Sequence, residues 1–351
     1  MTAVGPPLPG YPDAAGDRDR FILGLRPKRP RRDAWRHQGV LVEQEPAADG
    51  RLAAVATVFL TGRECPWRCV MCDLWRDTLE TDTPPGAIPH QIALGLAALA
   101  QPAAVPAEVR RIRYLKLYNA GSFFDDRAVP PGDDAAVARA VAGLSRLTVE
   151  SHPRLVGDRT WRFRDRLTPS LEVAMGLETA HPDALARLNK GCTLDDFALA
   201  ARALTAHGVG LRVFLLVHPP FVPAGEQVAW LLRSIDVAID AGASVIALIP
   251  TRDDPRDAGR PGPMTALAAD GLFAPPTLVT LEDAAAHAIR HAAGRARVVA
   301  DLWDLAAFAT CPACLDARRA RLLRLNLEQR VPDPIPCAAC GARAGGGASP
   351  G

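Results

Sequence analysis

The chain has 351 residues, of which 48% are hydrophobic and 23% charged, with a formal net charge of +2. This composition excludes a wholly disordered chain and a histone-like or strongly acidic protein, so any nucleic-acid contact must come from a local patch. No run of about 18 apolar residues lacks charge or proline, which argues against a membrane span. The start, MTAVGPPLPGYPDAAGDRDR, has no apolar signal segment, so the expected location is the cytoplasm, where thiols stay reduced.

Residues 1–48 read as a disordered, basic arm. Pro, Gly and Ala dominate to about residue 17, and Arg26, Lys28, Arg29, Arg31, Arg32 and Arg36 follow around Pro27 and Pro30. Such an arm is either solvated or a binder of phosphate. A regular alternation then fills 49–304. Strands are predicted at 52–60, 112–118, 146–151, 170–178, 211–218, 244–250 and 296–303. Helices are predicted between them at 88–100, 133–146, 156–167, 193–208, 224–242 and 281–294, the fourth opened by Thr193 and closed by Gly208.

Strands alternating with helices imply a parallel sheet with right-handed crossovers. An open doubly wound sheet and a partial β/α barrel both fit this order. No G-x-G-x-x-G follows the first strand, which weakens a dinucleotide-binding reading. In a barrel, functional groups belong at the carboxyl ends of the strands. Those ends carry Thr61 to Cys72, Asn119 to Ser122, Glu150-Ser151-His152, Glu178, His218-Pro219-Pro220 and Pro250-Thr251-Arg252.

Seven of the eight cysteines are clustered. Cys65, Cys69 and Cys72 form C-x3-C-x2-C in the loop after the first strand of this alternation. In a reducing compartment such spacing points to a metal site or reactive thiols. Three thiolates hold three irons of a 4Fe-4S cube and leave the fourth open, whereas electron carriers supply four cysteines. The alternatives are zinc completed by a remote His or Asp, and free thiols. The lone Cys192 reads as a small packed residue.

At these residues the chain resembles the radical S-adenosylmethionine (SAM) enzymes, whose motif is C-x3-C-x-aromatic-C. Met71 stands at the aromatic position. The segments LKLYNAGSFFDDRAVP, VESHP, LEVAMGLETAHPDALARLNKGCTLDDF, VFLLVHPPF and VIALIPTR resemble the elongator-type core, nearest the branch of the archaeosine-synthase radical SAM subunit, over about residues 50–340. The resemblance implies an α/β fold with a partial (β/α)6 TIM-like barrel, a 4Fe-4S cluster on Cys65, Cys69 and Cys72, and SAM on the open iron. It implies Met71 on the adenine side and Asn119, Ala120, Gly121 and Ser122 at the methionyl amine, with no acid at the place where the family has one. It further implies Glu178 at the ribose and Val217, Ile249 and Pro250 around the adenine. Without the resemblance, Gly121 is a turn glycine, Glu178 a helix-start acid, Lys190 either a solvated lysine or one that reaches an anionic substrate or cofactor group, and Glu150 a partner for a basic neighbour. Trp67 and Trp75 read as shields that keep water from the cluster.

Cys311-x2-Cys314 and Cys337-x2-Cys340 follow the barrel. Two such knuckles read as a small four-cysteine module at 305–343, holding zinc or an auxiliary 4Fe-4S cluster, with a disordered tail at 344–351. Between the knuckles LDARRARLLRLNLEQR reads as a helix whose Arg318, Arg319, Arg321, Arg324 and Arg330 are either solvated or meet RNA phosphate. The resemblance implies a reducing donor of the flavodoxin or ferredoxin type and a modified nucleoside in transfer RNA as substrate, with a lyase-like outcome. The competing expectation is a non-catalytic iron–sulfur or zinc protein, either a redox sensor or a nucleic-acid-binding module. An acetyltransferase domain after residue 350 and an extra cysteine triad in 1–64 are not expected from this sequence.

Overall fold

Seven parallel strands follow one another around a nearly closed barrel in the computed structural model, which describes residues 10–46, 51–101, 112–252 and 261–341. They are β2 (Leu52–Leu60), β3 (Tyr114–Asn119), β4 (Arg146–Glu150), β5 (Ser170–Glu178), β6 (Gly210–Val217), β7 (Val245–Pro250) and β8 (Arg297–Ala300). An eighth strand, β1 (Gly39–Pro46), runs antiparallel to β2, pairing Gly39 with Phe59 and Pro46 with Leu52. The crossovers carry α2 (Ala87–Leu99), α3 (Asp134–Ala140), α4 (Asp158–Arg166), α5 (Pro182–Arg187) with α6 (Leu194–Ala206), α7 (Gln227–Asp240), and α8 (Pro263–Ala269) with α9 (Leu278–Ala292). Helix α1 (Ala15–Leu25) precedes the sheet and α10 (Leu315–Glu328) follows it. The partial β/α barrel of the sequence reading is therefore present. Among the described residues, no helix is long and apolar enough to cross a membrane.

Period-2 alternation gives each strand two faces. Val58, Leu117, Val149, Met175, Val213 and Ile246 point outward and pack under the helices as the main core. Burying one such side chain contributes about 1.5–3 kcal/mol. The opposite face carries charge. Lys116 Nζ reaches Glu43 Oε1 at 2.7 Å and also pairs with Glu45, while Arg212 bonds Glu45 at 2.8 Å and Glu172 at 3.0 Å. Thr148 Oγ1 donates to Glu172 Oε2 at 2.9 Å. Against its own burial, Glu45 is held down to about 2 by Arg212 and Lys116.

The disordered-arm expectation is corrected over 10–46, where the chain forms α1 and β1; residues 1–9 and the tail from 342 lie outside the described residues. Phe21 and Ile22 of α1 are buried, and β1 is bonded to β2 along its length. Three of the arginines are paired with acids, while Lys28, Arg31 and Arg36 are exposed as a solvated arm would be. Arg26 binds Glu64 Oε1 at 2.7 Å, Arg29 binds the other oxygen of Glu64, and Arg32 binds Asp77.

Helix α10 touches both β1 and β8, the two edges the sheet leaves apart. Its side-chain amides complete the β8 edge. Asn326 accepts from Ala300 N–H at 2.7 Å and donates to Ala300 O at 2.8 Å. Gln329 does the same at Val298, at 2.9 and 2.8 Å. An unpaired strand edge is a template for wrong pairing, and these two amides cover it.

Candidate active site and four-cysteine centre

The loop after β2 carries Cys65, Cys69 and Cys72, all half-buried, at the carboxyl rim of the barrel. Its backbone is held from three sides. Val70 N–H donates to Leu188 O at 3.0 Å, and Asn189 Nδ2 bridges Arg68 O at 2.8 Å and Asp19 Oδ1 at 2.7 Å. Glu64 gathers Arg26, Arg29 and, at 3.4 Å, Arg68; these cations hold its carboxyl below the usual range despite burial. Trp75 is buried with the Arg26 guanidinium 4.8 Å from its ring centre. Burial pushes Cys69 up and Cys72 up to about 12, and each feels the charge of Cys65. Burial therefore outweighs Lys190 and Arg26 and favours the protonated thiols, and a cation ligated by the sulfurs would favour the thiolates.

Trp67 stacks on His152, with ring centres 3.4 Å apart and planes 11° apart. His152 Nε2 lies 3.0 Å from Lys190 O, and His152 Nδ1 accepts from Arg154 N–H at 3.2 Å, which fits a neutral ring with its proton on Nε2. Burial, then the Lys190 charge, lowers His152 to about 3. Lys190 is not a solvated lysine. It is 7% exposed and its Nζ bonds Glu178 Oε1 at 2.7 Å. Burial opposes its charge, yet Glu178 and the neighbouring Cys69 hold its pKa above the usual lysine value. A side chain at Gly176 would place its Cβ 2.6 Å from Lys190 Nζ, so glycine there makes room for the pair.

The remaining predicted residues collect on the same rim. Asn119 is buried, with both side-chain amide atoms lacking partners, and its N–H donates to Glu150 Oε2 at 3.1 Å. Ala120 is half-buried beside it. Gly121 packs under the cysteine loop, where a Cβ would stand 2.7 Å from Arg63 O. Ser122 Oγ accepts from His152 N–H at 3.1 Å. Met71 and Ile249 share a small apolar cluster with Leu216 and Met264, beneath α1 and α8. Val217 differs from its expected place, since its side chain belongs to the outer core, and Leu216 is the β6 residue packed with Met71. Pro250 is buried at the end of β7, in register with Val217. Strand parity was the signal that separates Leu216 from Val217; Met264 lies on a helix that carried no sequence signal.

Glu150 faces this rim, and burial, reinforced by Glu178, raises it from 4.5 to about 8. The folded state then holds a proton that the unfolded state has lost between those two values. Stability from this group is full below pH 4.5 and falls as pH rises towards about 8, by at most about 1.4 kcal/mol per pH unit. Glu150→Gln should therefore gain stability over the parent with rising pH across that window, as read by urea unfolding at pH 5, 6.5 and 8. A constant difference would contradict the shift.

The four sulfurs of Cys311, Cys314, Cys337 and Cys340 lie within 4.8 Å of one another, with Cys311 and Cys337 3.9 Å apart. They can hold a metal ion. The basic surface expected beside them is corrected in part. Arg318 and Arg321 are buried on Glu282 of α9, while Arg319, Arg324 and Arg330 are exposed.

The fold is shared with the crystal structure of methylornithine synthase (TM-score 0.52, 13% identity, 79% of this chain and 70% of that one). No protein-family model matches the chain. It is 31% identical over 131 residues to archaeosine synthase subunit beta of Methanosarcina acetivorans, 35% of this chain and 38% of that protein. An uncharacterized protein of Methanocaldococcus jannaschii is 26% identical over 141 residues, 39% of each chain. The matched part spans about two fifths of the length of these curated relatives. Over that part, the sequence likeness is to the archaeosine synthase beta subunits.

Proposed function

We propose that this chain is a radical SAM enzyme acting on a modified nucleoside in RNA. The observation that carries the reading is the three-thiol loop at the carboxyl rim, braced by Leu188 and Asn189 and faced by the buried Lys190–Glu178 pair. The donor set fits a 4Fe-4S cluster with one iron free of protein sulfur, because the loop carries no fourth cysteine. When bound, the cluster supplies one electron for reductive cleavage of SAM to methionine and a 5′-deoxyadenosyl radical, which abstracts hydrogen from substrate.

The chain's own residues hold and shield this chemistry. Trp67 and Trp75 cover the loop, Lys190 supplies a fixed positive charge beside Cys65 and Cys69, and Leu216, Ile249 and Met71 offer an apolar seat. Likeness to archaeosine synthase subunit beta supports a transfer-RNA nucleoside as substrate and a carbon–nitrogen lyase outcome. A flavodoxin- or ferredoxin-type protein is the proposed reductant, the cytoplasm the proposed location, and zinc the proposed metal of the four-cysteine centre. Anaerobically reconstituted protein given dithionite and SAM should form 5′-deoxyadenosine and methionine. A fully loaded protein that forms neither is the redox sensor or nucleic-acid-binding protein instead.

A further inference from the structure

The four-cysteine centre stands at the foot of the helix that fills the barrel's open seam. Cys314 immediately precedes α10, and Cys337 and Cys340 lie on the segment that returns beside it. Two buried arginines of α10 tie the centre to the barrel. Arg318 donates from Nε to Cys314 Sγ at 3.1 Å, pairs with Glu282 of α9 and reaches Ile335 O at 3.3 Å. Arg321 meets Glu282 at 3.2 Å and the carbonyls of Asp333 and Pro332 at 2.9 and 3.0 Å.

Two guanidinium groups against one carboxylate leave an excess positive charge in a buried place, where unpaired charge is costly. Four thiolates around one divalent ion carry a net charge of minus two, and Arg318 touches one of the sulfurs. The sulfur spacing agrees. A tetrahedral ion with sulfur ligands at about 2.3 Å sets them about 3.8 Å apart, close to the 3.9 Å between Cys311 and Cys337. A cube of four irons, each tied to its own cysteine, spreads the sulfurs farther.

We propose that one zinc-class ion, ligated by Cys311, Cys314, Cys337 and Cys340, is the fastener that keeps α10 in the seam between β8 and β1. This rests on the zinc reading above and goes beyond it. The ion fixes both ends of the α10 segment, the arginines carry that restraint to α9, and Asn326 and Gln329 occupy the β8 edge as a result. The centre thereby governs closure of the barrel from a position outside the three-thiol loop.

The test uses anaerobic full-length protein, metal analysis and hydrogen exchange of the β8 amides of Val298 and Ala300. As isolated, the chain should hold about one zinc in addition to the iron of one cluster. A zinc chelator should speed exchange in β8 by about tenfold or more while leaving β5 unchanged. Asn326→Ala with Gln329→Ala, which spares every thiol, should give the same exposure with zinc retained. Iron for a second cluster in place of zinc overturns the ion assignment. Zinc present but β8 exchange unmoved by its removal, or by the double variant, overturns the fastener while leaving the zinc reading standing.

Discussion

Cys69→Ala gives a colourless protein that forms no 5′-deoxyadenosine above the uncatalysed background. The thiol is enclosed and lies beside Lys190, and two remaining sulfurs cannot hold three corners of a cube. The fold itself should lose only about 1 kcal/mol, because alanine fills most of the space and the loop keeps its Val70–Leu188 and Asn189–Arg68 bonds. Iron analysis, visible absorbance and product formation should fall together while far-ultraviolet circular dichroism stays unchanged. Cys192→Ala is the control. Its sulfur is packed in the main core, and burial raises that thiol to about 11, so its loss should leave iron and colour intact. Full iron in the Cys69 variant would remove that residue from the ligand set.

Lys190→Met carries the largest expected loss of stability. Both members of the Lys190–Glu178 pair are less than one tenth exposed, and methionine leaves the carboxylate without its cation. Breaking a buried pair from one side costs about 3–5 kcal/mol, whereas replacing both members with apolar groups is far milder. Lys190→Met with Glu178→Leu should therefore recover a large part of the loss in urea unfolding. Equal destabilisation of the single and double variants would show that the pair's geometry, rather than its charge, sustains this region.

The residues most legible in the sequence were those under local rules. Alternating apolar runs gave the seven parallel strands because both faces of each are enclosed. Cysteine spacing marked the loop because ligand geometry constrains a few consecutive residues. Strand β1 escaped because Glu43 and Glu45 point inward at Lys116 and Arg212, and a strand with acids on its enclosed face shows no apolar alternation. Lys190, Arg318 and Arg321 read as surface cations, since such residues are rarely buried without partners. Their partners, Glu178 and Glu282, lie 12 and 36 residues away in sequence, beyond any local pattern.

The bracing of the cysteine loop sets an order on the making of this protein. Arg26 and Arg29 are synthesised before Glu64, but Leu188 and Asn189 emerge from the ribosome more than a hundred residues after Arg68 and Val70. Until then the loop lacks one of its walls. With the proposed cluster on this loop, delivery of iron and sulfide comes late, to a chain whose first half has already been assembled.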